Sequence, residues 1–67
     1  MSVAKVSEIS ATSAKSFEDA VQQGLNRASK TLRKIRGAWI KEQHVRVVDG
    51  KTAEYQVNML VTFELDD

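Results

Sequence analysis

One tryptophan is the residue best suited to hold a flat ligand. Trp39 offers a broad, electron-rich plane that can stack on a flat heteroaromatic ring. Gln56 offers both a hydrogen-bond donor and an acceptor, which match the polar edge of a pyrimidine-like ring. The alternative is that Trp39 fills an interface between subunits, since tryptophan is enriched there, and composition alone favours that alternative.

Catalytic chemistry has little support in the sequence. His44 is the only histidine, and no nucleophile or orienting partner is recognisable for it. There is no glycine-rich phosphate loop and no nucleophile elbow. No loop has the spacing of calcium ligands, so the sequence names no metal site. The sequence therefore predicts that the protein is not an enzyme.

The basic run from Lys30 to Arg36 is the one candidate for nucleic-acid contact. No aromatic residues are interleaved with it for base stacking. The net charge of +1 is also far from the strong basic field of a dedicated nucleic-acid binder. A solvated helix end is the preferred interpretation, and no nucleic-acid partner is predicted.

The length of 67 residues predicts one small domain over residues 1–67, whose stability is marginal when it stands alone. The chain has no cysteine, so disulfides and thiolate zinc sites cannot support it. Association with other copies of the chain is therefore the expected source of the additional stability. No secretory signal and no membrane-spanning segment are recognisable, so a soluble cytoplasmic protein with no membrane partner is expected.

Four elements are predicted to position these residues. Residues 3–9 have the β-branched content of a short first strand, and the Ser/Thr-rich residues 10–16 are typical of a loop and helix entry. Apolar residues at helical spacing predict a helix from Phe17 to Arg36, with Ser16 as N-cap and Gly37 as the stop.

Two long strands follow, joined by the two-residue hairpin turn that Asp49-Gly50 favours. An unbroken pairing from that turn predicts that Trp39 faces Leu60, Lys41 faces Asn58, and Gln43 faces Gln56. On the last strand, alternation places the apolar residues on one face, the seat of the helix. They are Tyr55, Val57, Met59, Val61, Phe63 and Leu65.

The predicted helix is about 30 Å long. The last strand would exceed about 40 Å. One helix cannot cover such a hairpin, so the sheet is expected to curl and other subunits to cover the rest. Trp39 and Gln56 share the face of the hairpin that points away from the helix.

Taken together, four stretches make the whole chain resemble the dodecin family. They are "VAKVSEI", "SFEDAVQQGLNRASKTLRKI", "DGK" and "YQVNMLVTFELDD", and their order and spacing carry the resemblance. It implies an α+β fold of order β-α-β-β, in which a three-stranded antiparallel sheet curls around one helix and copies assemble into a hollow dodecamer. It further implies non-catalytic storage or sequestration of a flavin (riboflavin, FMN or FAD) between tryptophans of related subunits, with Gln56 at the ring's polar edge.

The tryptophan departs from the flavin-binding pattern. In that pattern it stands two residues after the aliphatic residue that closes the helix, and here that position is Gly37. Trp39 keeps the same face but lies about 7 Å further along the strand. Other dodecin relatives lack this tryptophan, and some bind calcium. The second hypothesis is therefore a shell of the same architecture that binds a metal such as calcium, or another small ligand, instead of flavin.

Overall fold

In a computed structural model of the protein, which describes residues 3–65, four elements follow the order strand, helix, strand, strand. They are β1 (Ala4–Ser13), α1 (Phe17–Ala28), β2 (Ile35–Val48) and β3 (Lys51–Glu64). The strands form one antiparallel sheet in the order β1-β3-β2. The predicted β-α-β-β architecture is confirmed. Within residues 3–65, no helix has both the length and the apolar character that crossing a membrane requires.

The first strand is longer than predicted. Residues 10–13, which we expected in a loop, continue β1 and pair with residues 55–58 of β3. The prediction was wrong because a local preference of serine and threonine for turns is weaker than the backbone hydrogen bonds that a neighbouring strand offers.

The helix begins where the sequence predicts. The Ser16 hydroxyl accepts a hydrogen bond from the Asp19 amide at 3.0 Å, which satisfies one of the amides that every helix start leaves without an internal partner. The Asp19 carboxylate in turn accepts hydrogen bonds from the Ser13 hydroxyl, at 2.6 Å, and from Gln23. These contacts tie the helix start to the end of β1.

The predicted helix end at Arg36 and the stop at Gly37 are wrong. The helix ends at Ala28, where the Ser29 hydroxyl donates to the Leu25 carbonyl at 2.8 Å and so competes with continuation of the helix. The residue that adopts the left-handed conformation before β2 is Lys34, with φ 57°. Gly37 lies within β2 instead.

The core lies between the helix and the central strand. Ala20, Val57, Met59 and Val61 are fully buried, which confirms the middle of the apolar face predicted for β3. Leu65, predicted on the same face, lies beyond the end of β3 and is 45% exposed. Gly24 lets the helix approach the sheet, because a β-carbon there would overlap the Met59 methyl group. In the first half of β3, Tyr55 packs edge-on against Phe17 with ring centroids 5.1 Å apart.

The hairpin turn has the predicted conformation. Asp49 and Gly50 have φ values of 52° and 75°, and positive φ at both central residues is what a type I′ turn requires. The pairing of Trp39 with Leu60 is also confirmed.

Two of the predicted pairs are wrong, because the ladder of β2 and β3 is not continuous. A bulge at Lys41 and an irregularity near Val47 shift the register between them by one residue. The observed pairs are Glu42 with Asn58, Gln43 with Val57, and His44 with Gln56.

The helix leaves most of the hairpin uncovered. Its 12 residues span about 18 Å, against roughly 46 Å for the 14 residues of β3. The helix packs on β1 and β3, and the molecule is 51 Å long but only 19 Å and 13 Å across. Of the residues of β2, all but Ile35 and Val45 are exposed. The mismatch that the sequence predicted is therefore larger than expected.

Candidate ligand-binding face

The face of the sheet opposite the helix, called the outer face below, carries the predicted site residues. The register and the alternation of each strand assign its members. They are Val6, Glu8, Ser10 and Thr12 on β1, Glu54, Gln56, Asn58, Leu60 and Thr62 on β3, and Gly37, Trp39, Glu42, His44 and Arg46 on β2.

Trp39 presents its indole to solvent, with 63% of the residue exposed. It lies opposite Leu60 and, with Gly37 and Thr62 among its neighbours, lines a shallow depression at one end of the outer face. An exposed indole plane on a rigid strand can accept a flat aromatic ring by stacking.

Gln56 lies near the other end of the outer face, on the central strand, and is half-buried. Its side-chain amide donates to the Ser10 hydroxyl at 3.0 Å and to the side-chain Oδ1 of Asn58 at 3.4 Å. Asn58 in turn donates to a Glu42 carboxylate oxygen at 2.9 Å. This row of side chains holds the Gln56 amide in a defined orientation, with hydrogen-bonding groups from all three strands.

Trp39 and Gln56 share a face but do not meet within one chain. Trp39 pairs with Leu60 on β3, and Leu60 is four residues from Gln56 on the same strand. That separation corresponds to about 13 Å along the strand. Two side chains at that separation cannot stack on and hydrogen-bond to the same small ring system unless another copy of the chain supplies one of them.

An ion pair crosses the middle of the outer face. The Lys41 ammonium group, at the bulge in β2, reaches Glu8 of β1 at 3.2 Å and 3.3 Å from its two carboxylate oxygens. Both side chains are 48% exposed, so water screens their attraction and the pair contributes little to stability.

His44 is the residue of this face that sequence reasoning missed. An unbroken register places Gln43 opposite Gln56, whereas the structure places His44 there. No local sequence feature marks the bulge that makes the difference.

The part of the chain that the structure describes has no cluster of side chains suited to bind a metal ion. Among residues 3–65, no three His, Cys, Asp or Glu side chains come together in a way that could hold a metal ion. The acidic residues Glu8, Glu54 and Glu64 are each paired with a cation instead.

Comparison with known proteins identifies the family. The model of the Dodecin family matches residues 3–66. Comparison with curated proteins gives no match.

Several solved structures have the same fold. The chain is 35% identical to the dodecin from Streptomyces davaonensis, over 98% of this chain and 97% of that one, with a TM-score of 0.93. A single-residue variant of the dodecin from Thermus thermophilus is 36% identical over the full length of both chains, with a TM-score of 0.94. The calcium-chelating antigen calcium dodecin from Mycobacterium tuberculosis is 31% identical, over 96% of this chain and 91% of that one, with a TM-score of 0.82. The chain therefore belongs to the dodecin family, whose members are small homo-oligomeric binding proteins.

Proposed function

We propose that the protein binds a flavin (riboflavin, FMN or FAD) and stores or sequesters it without catalysing a reaction. The observation that carries this proposal is the exposed indole of Trp39 on the face that also holds the oriented amide of Gln56. A stacked indole would hold the isoalloxazine ring and return its excited state rapidly to the ground state. The Gln56 amide would bind the polar pyrimidine edge of the ring.

The ligand site is proposed to form between copies of the chain. Trp39 and Gln56 are too far apart along the sheet for one copy to supply both contacts to one ring. The long hairpin also exposes apolar side chains, among them Ile40, Val47 and Val48, that a second copy would cover. We propose a hollow homododecamer of 67-residue single-domain subunits in the cytoplasm, with no nucleic-acid or membrane partner. Native mass spectrometry should give twelve subunits, and a stable folded monomer would contradict the assembly.

A riboflavin titration tests the flavin proposal directly. Riboflavin fluorescence should fall strongly as purified protein is added, and the quenching should saturate at a fixed ratio of flavin to subunit. Quenching by the denatured protein at the same concentration is the control for collisional effects. Unchanged fluorescence at micromolar concentrations of assembled protein would rule out flavin storage.

A second candidate function is a shell of the same architecture that binds calcium or another small ligand and no flavin. Gly37, where the flavin-binding pattern has tryptophan, favours this candidate, as does the similarity to calcium dodecin. Calorimetry should separate the two. Heat on addition of calcium, together with a calcium-dependent rise in melting temperature and no heat with riboflavin, would support the second candidate over the first.

A further inference from the structure

A groove runs between the helix and β1, at one edge of the sheet. Its volume is about 600 Å³, and it lies between β1 and the second half of α1 with the connection that follows. Ile9 and Ala11 line it from the strand, and Ala28 and Leu32 line it from above. The middle of the groove is therefore apolar and open toward the edge of the sheet.

The backbone of β1 is unpaired on this side. The Leu65 amide donates to the Val3 carbonyl at 3.0 Å, so Val3 and every second residue after it bond to β3. The residues between them direct their N–H groups away from β3, and these are called the open-edge amides below. They are the amides of Ala4, Val6, Glu8, Ser10 and Thr12. Within residues 3–65 no further strand lies beside β1 to accept them, and the chain has no proline to protect the edge.

The strand at the opposite edge, β2, carries an uncovered apolar surface. Its residues on the helix side of the sheet are called the β2 strip, and their partners on β3 assign them to that side. They are Ala38, Ile40, Gln43, Val45 and Val48. Because the helix packs on β1 and β3, Ile40 is 43% exposed and Val48 47% exposed. The outer backbone edge of β2 is also unpaired within the described residues, and from Glu42 to Arg46 its register has no irregularity.

Of the three strands, β2 is the one that fits the groove. The helix side of β1 and of β3 is covered by α1 in every copy. If either of these strands were laid beside β1, its own helix would collide with the helix above the groove. β2 brings no helix with it. A copy of β2 beside β1 would continue the sheet at the usual strand spacing and place the β2 strip beneath the helix, against Ala28 and Leu32.

We infer that β2 of a second copy pairs along the edge of β1 and inserts its β2 strip, Ile40 included, into the groove. This inference rests on the proposed assembly and specifies which two surfaces meet. The contact joins two different surfaces, so it is heterologous and closes into a ring in a finite assembly. The outer faces of neighbouring copies then continue into one surface, on which Trp39 of one copy and Gln56 of the next lie on the same side.

Amide hydrogen exchange with single-residue resolution tests the pairing in the assembled protein. In one copy the open-edge amides have no strand to bond to, so they should exchange rapidly unless a second copy covers them. In the assembled natural protein they should exchange about 100-fold or more slowly than in the unfolded chain. The amides of Gln43 and Val45, on the open edge of β2, should be slowed in the same way.

Ile40→Lys tests whether the β2 strip fills the groove. Ile40 is exposed in one copy, so the subunit should still fold, but the assembly would have to bury a charge in an apolar groove. The protein concentration needed for assembly, measured by sedimentation, should rise about tenfold or more, and both edges should lose their slow exchange. Val3→Lys is the matched control, because Val3 is 58% exposed and lies before β1, outside the β2 strip. It should assemble as the natural protein does.

Rapid exchange of the open-edge amides in an assembled natural protein would overturn the inference and leave the proposed assembly intact. An Ile40→Lys protein that assembles normally would do the same, as would a Val3→Lys protein that dissociates to the same extent as Ile40→Lys. A natural protein that stays a folded monomer at every concentration would overturn the inference and the proposed assembly together.

Discussion

Gly37 lies opposite Thr62 on the outer face, and apart from its chain neighbours no described heavy atom comes within 4 Å of where its β-carbon would be. The position at which the flavin-binding pattern has tryptophan is therefore open space in this chain. Trp39, two residues further along the same face, is the only tryptophan available to stack on a ligand.

Gly37→Trp should strengthen riboflavin binding, because it restores an aromatic plane where there is room for one. Stacking of a flat ring on an aromatic side chain contributes about 1–3 kcal/mol, so the dissociation constant should fall by about one to two orders of magnitude. The matched control is Ala38→Trp, which adds the same side chain on the opposite face. A fluorescence titration of both variants measures the effect, and equal affinities would contradict a ligand site beside Gly37.

Trp39→Ala should weaken riboflavin binding by about 10- to 100-fold, from the loss of about 1–3 kcal/mol of stacking. Trp39→Phe keeps an aromatic plane and should lose less. Gln22→Ala, at an exposed position of the helix and away from the outer face, is the control and should have little effect. If Trp39→Ala loses riboflavin binding together with the assembly, as sedimentation would show, Trp39 is an interface residue instead.

Gln56→Ala should weaken riboflavin binding by about five- to tenfold, because it removes one neutral hydrogen bond of about 1 kcal/mol. Gln43→Ala removes the same side chain from the opposite face and should leave the affinity unchanged. Calorimetric titration of riboflavin into both variants gives the comparison. Similar losses in the two variants would show that Gln56 acts through the strand and not through the ligand.

Gly24→Ala should destabilise the fold, since the new methyl group meets Met59 and Ala11 where the helix is closest to the sheet. Overpacking of this kind typically costs about 1–3 kcal/mol in the free energy of unfolding. Urea denaturation followed by circular dichroism measures it. Asn26→Ala, at an exposed position of the same helix, is the control. A Gly24→Ala protein as stable as the natural one would mean that the end of the Met59 side chain can move aside, or that the better helix propensity of alanine offsets the contact.

Asp19 should make stability fall in acid. Hydrogen bonds from Ser13 and Gln23 lower the pKa of the Asp19 carboxyl below its ordinary value of 3.8. Because the pKa is lower in the folded state, the stabilisation is complete above the ordinary value and is lost as the pH falls through the lowered one. Denaturation midpoints at pH 7 and near pH 3 should differ less in Asp19→Asn than in the natural protein. Glu18→Gln, at the adjacent exposed position, should keep the natural difference.

The parts of the fold that local chemistry determines could be predicted from the sequence. Ser16 caps a helix and Asp49-Gly50 forms a type I′ turn because each depends only on a few adjacent residues. The apolar face of β3 follows from strict alternation. Periodicity and the turn residues predicted the order of the elements, and the resemblance to dodecins supplied the three-stranded antiparallel sheet curled around one helix.

The helix end and the register between β2 and β3 were predicted wrongly because contacts between distant parts of the chain determine them. The helix was extended past Ala28 because Leu32 and Ile35 continue the apolar period, although in the structure Leu32 lies in the connection and Ile35 begins β2. The pairing beyond Ile40 was wrong because a bulge depends on how two strands twist together and has no reliable signal in either strand. His44 could not be assigned to a face for that reason.

Because the hairpin is left uncovered in one copy, the stability of the folded state should depend on the concentration of the protein. A chain 51 Å long, whose second strand is exposed along almost its entire length, gains much of its stability only when copies meet. By mass action, its melting temperature should rise with the amount of protein in solution. Dilution would then separate and unfold the subunits in the same event, so a higher concentration of the protein would also protect each subunit from unfolding.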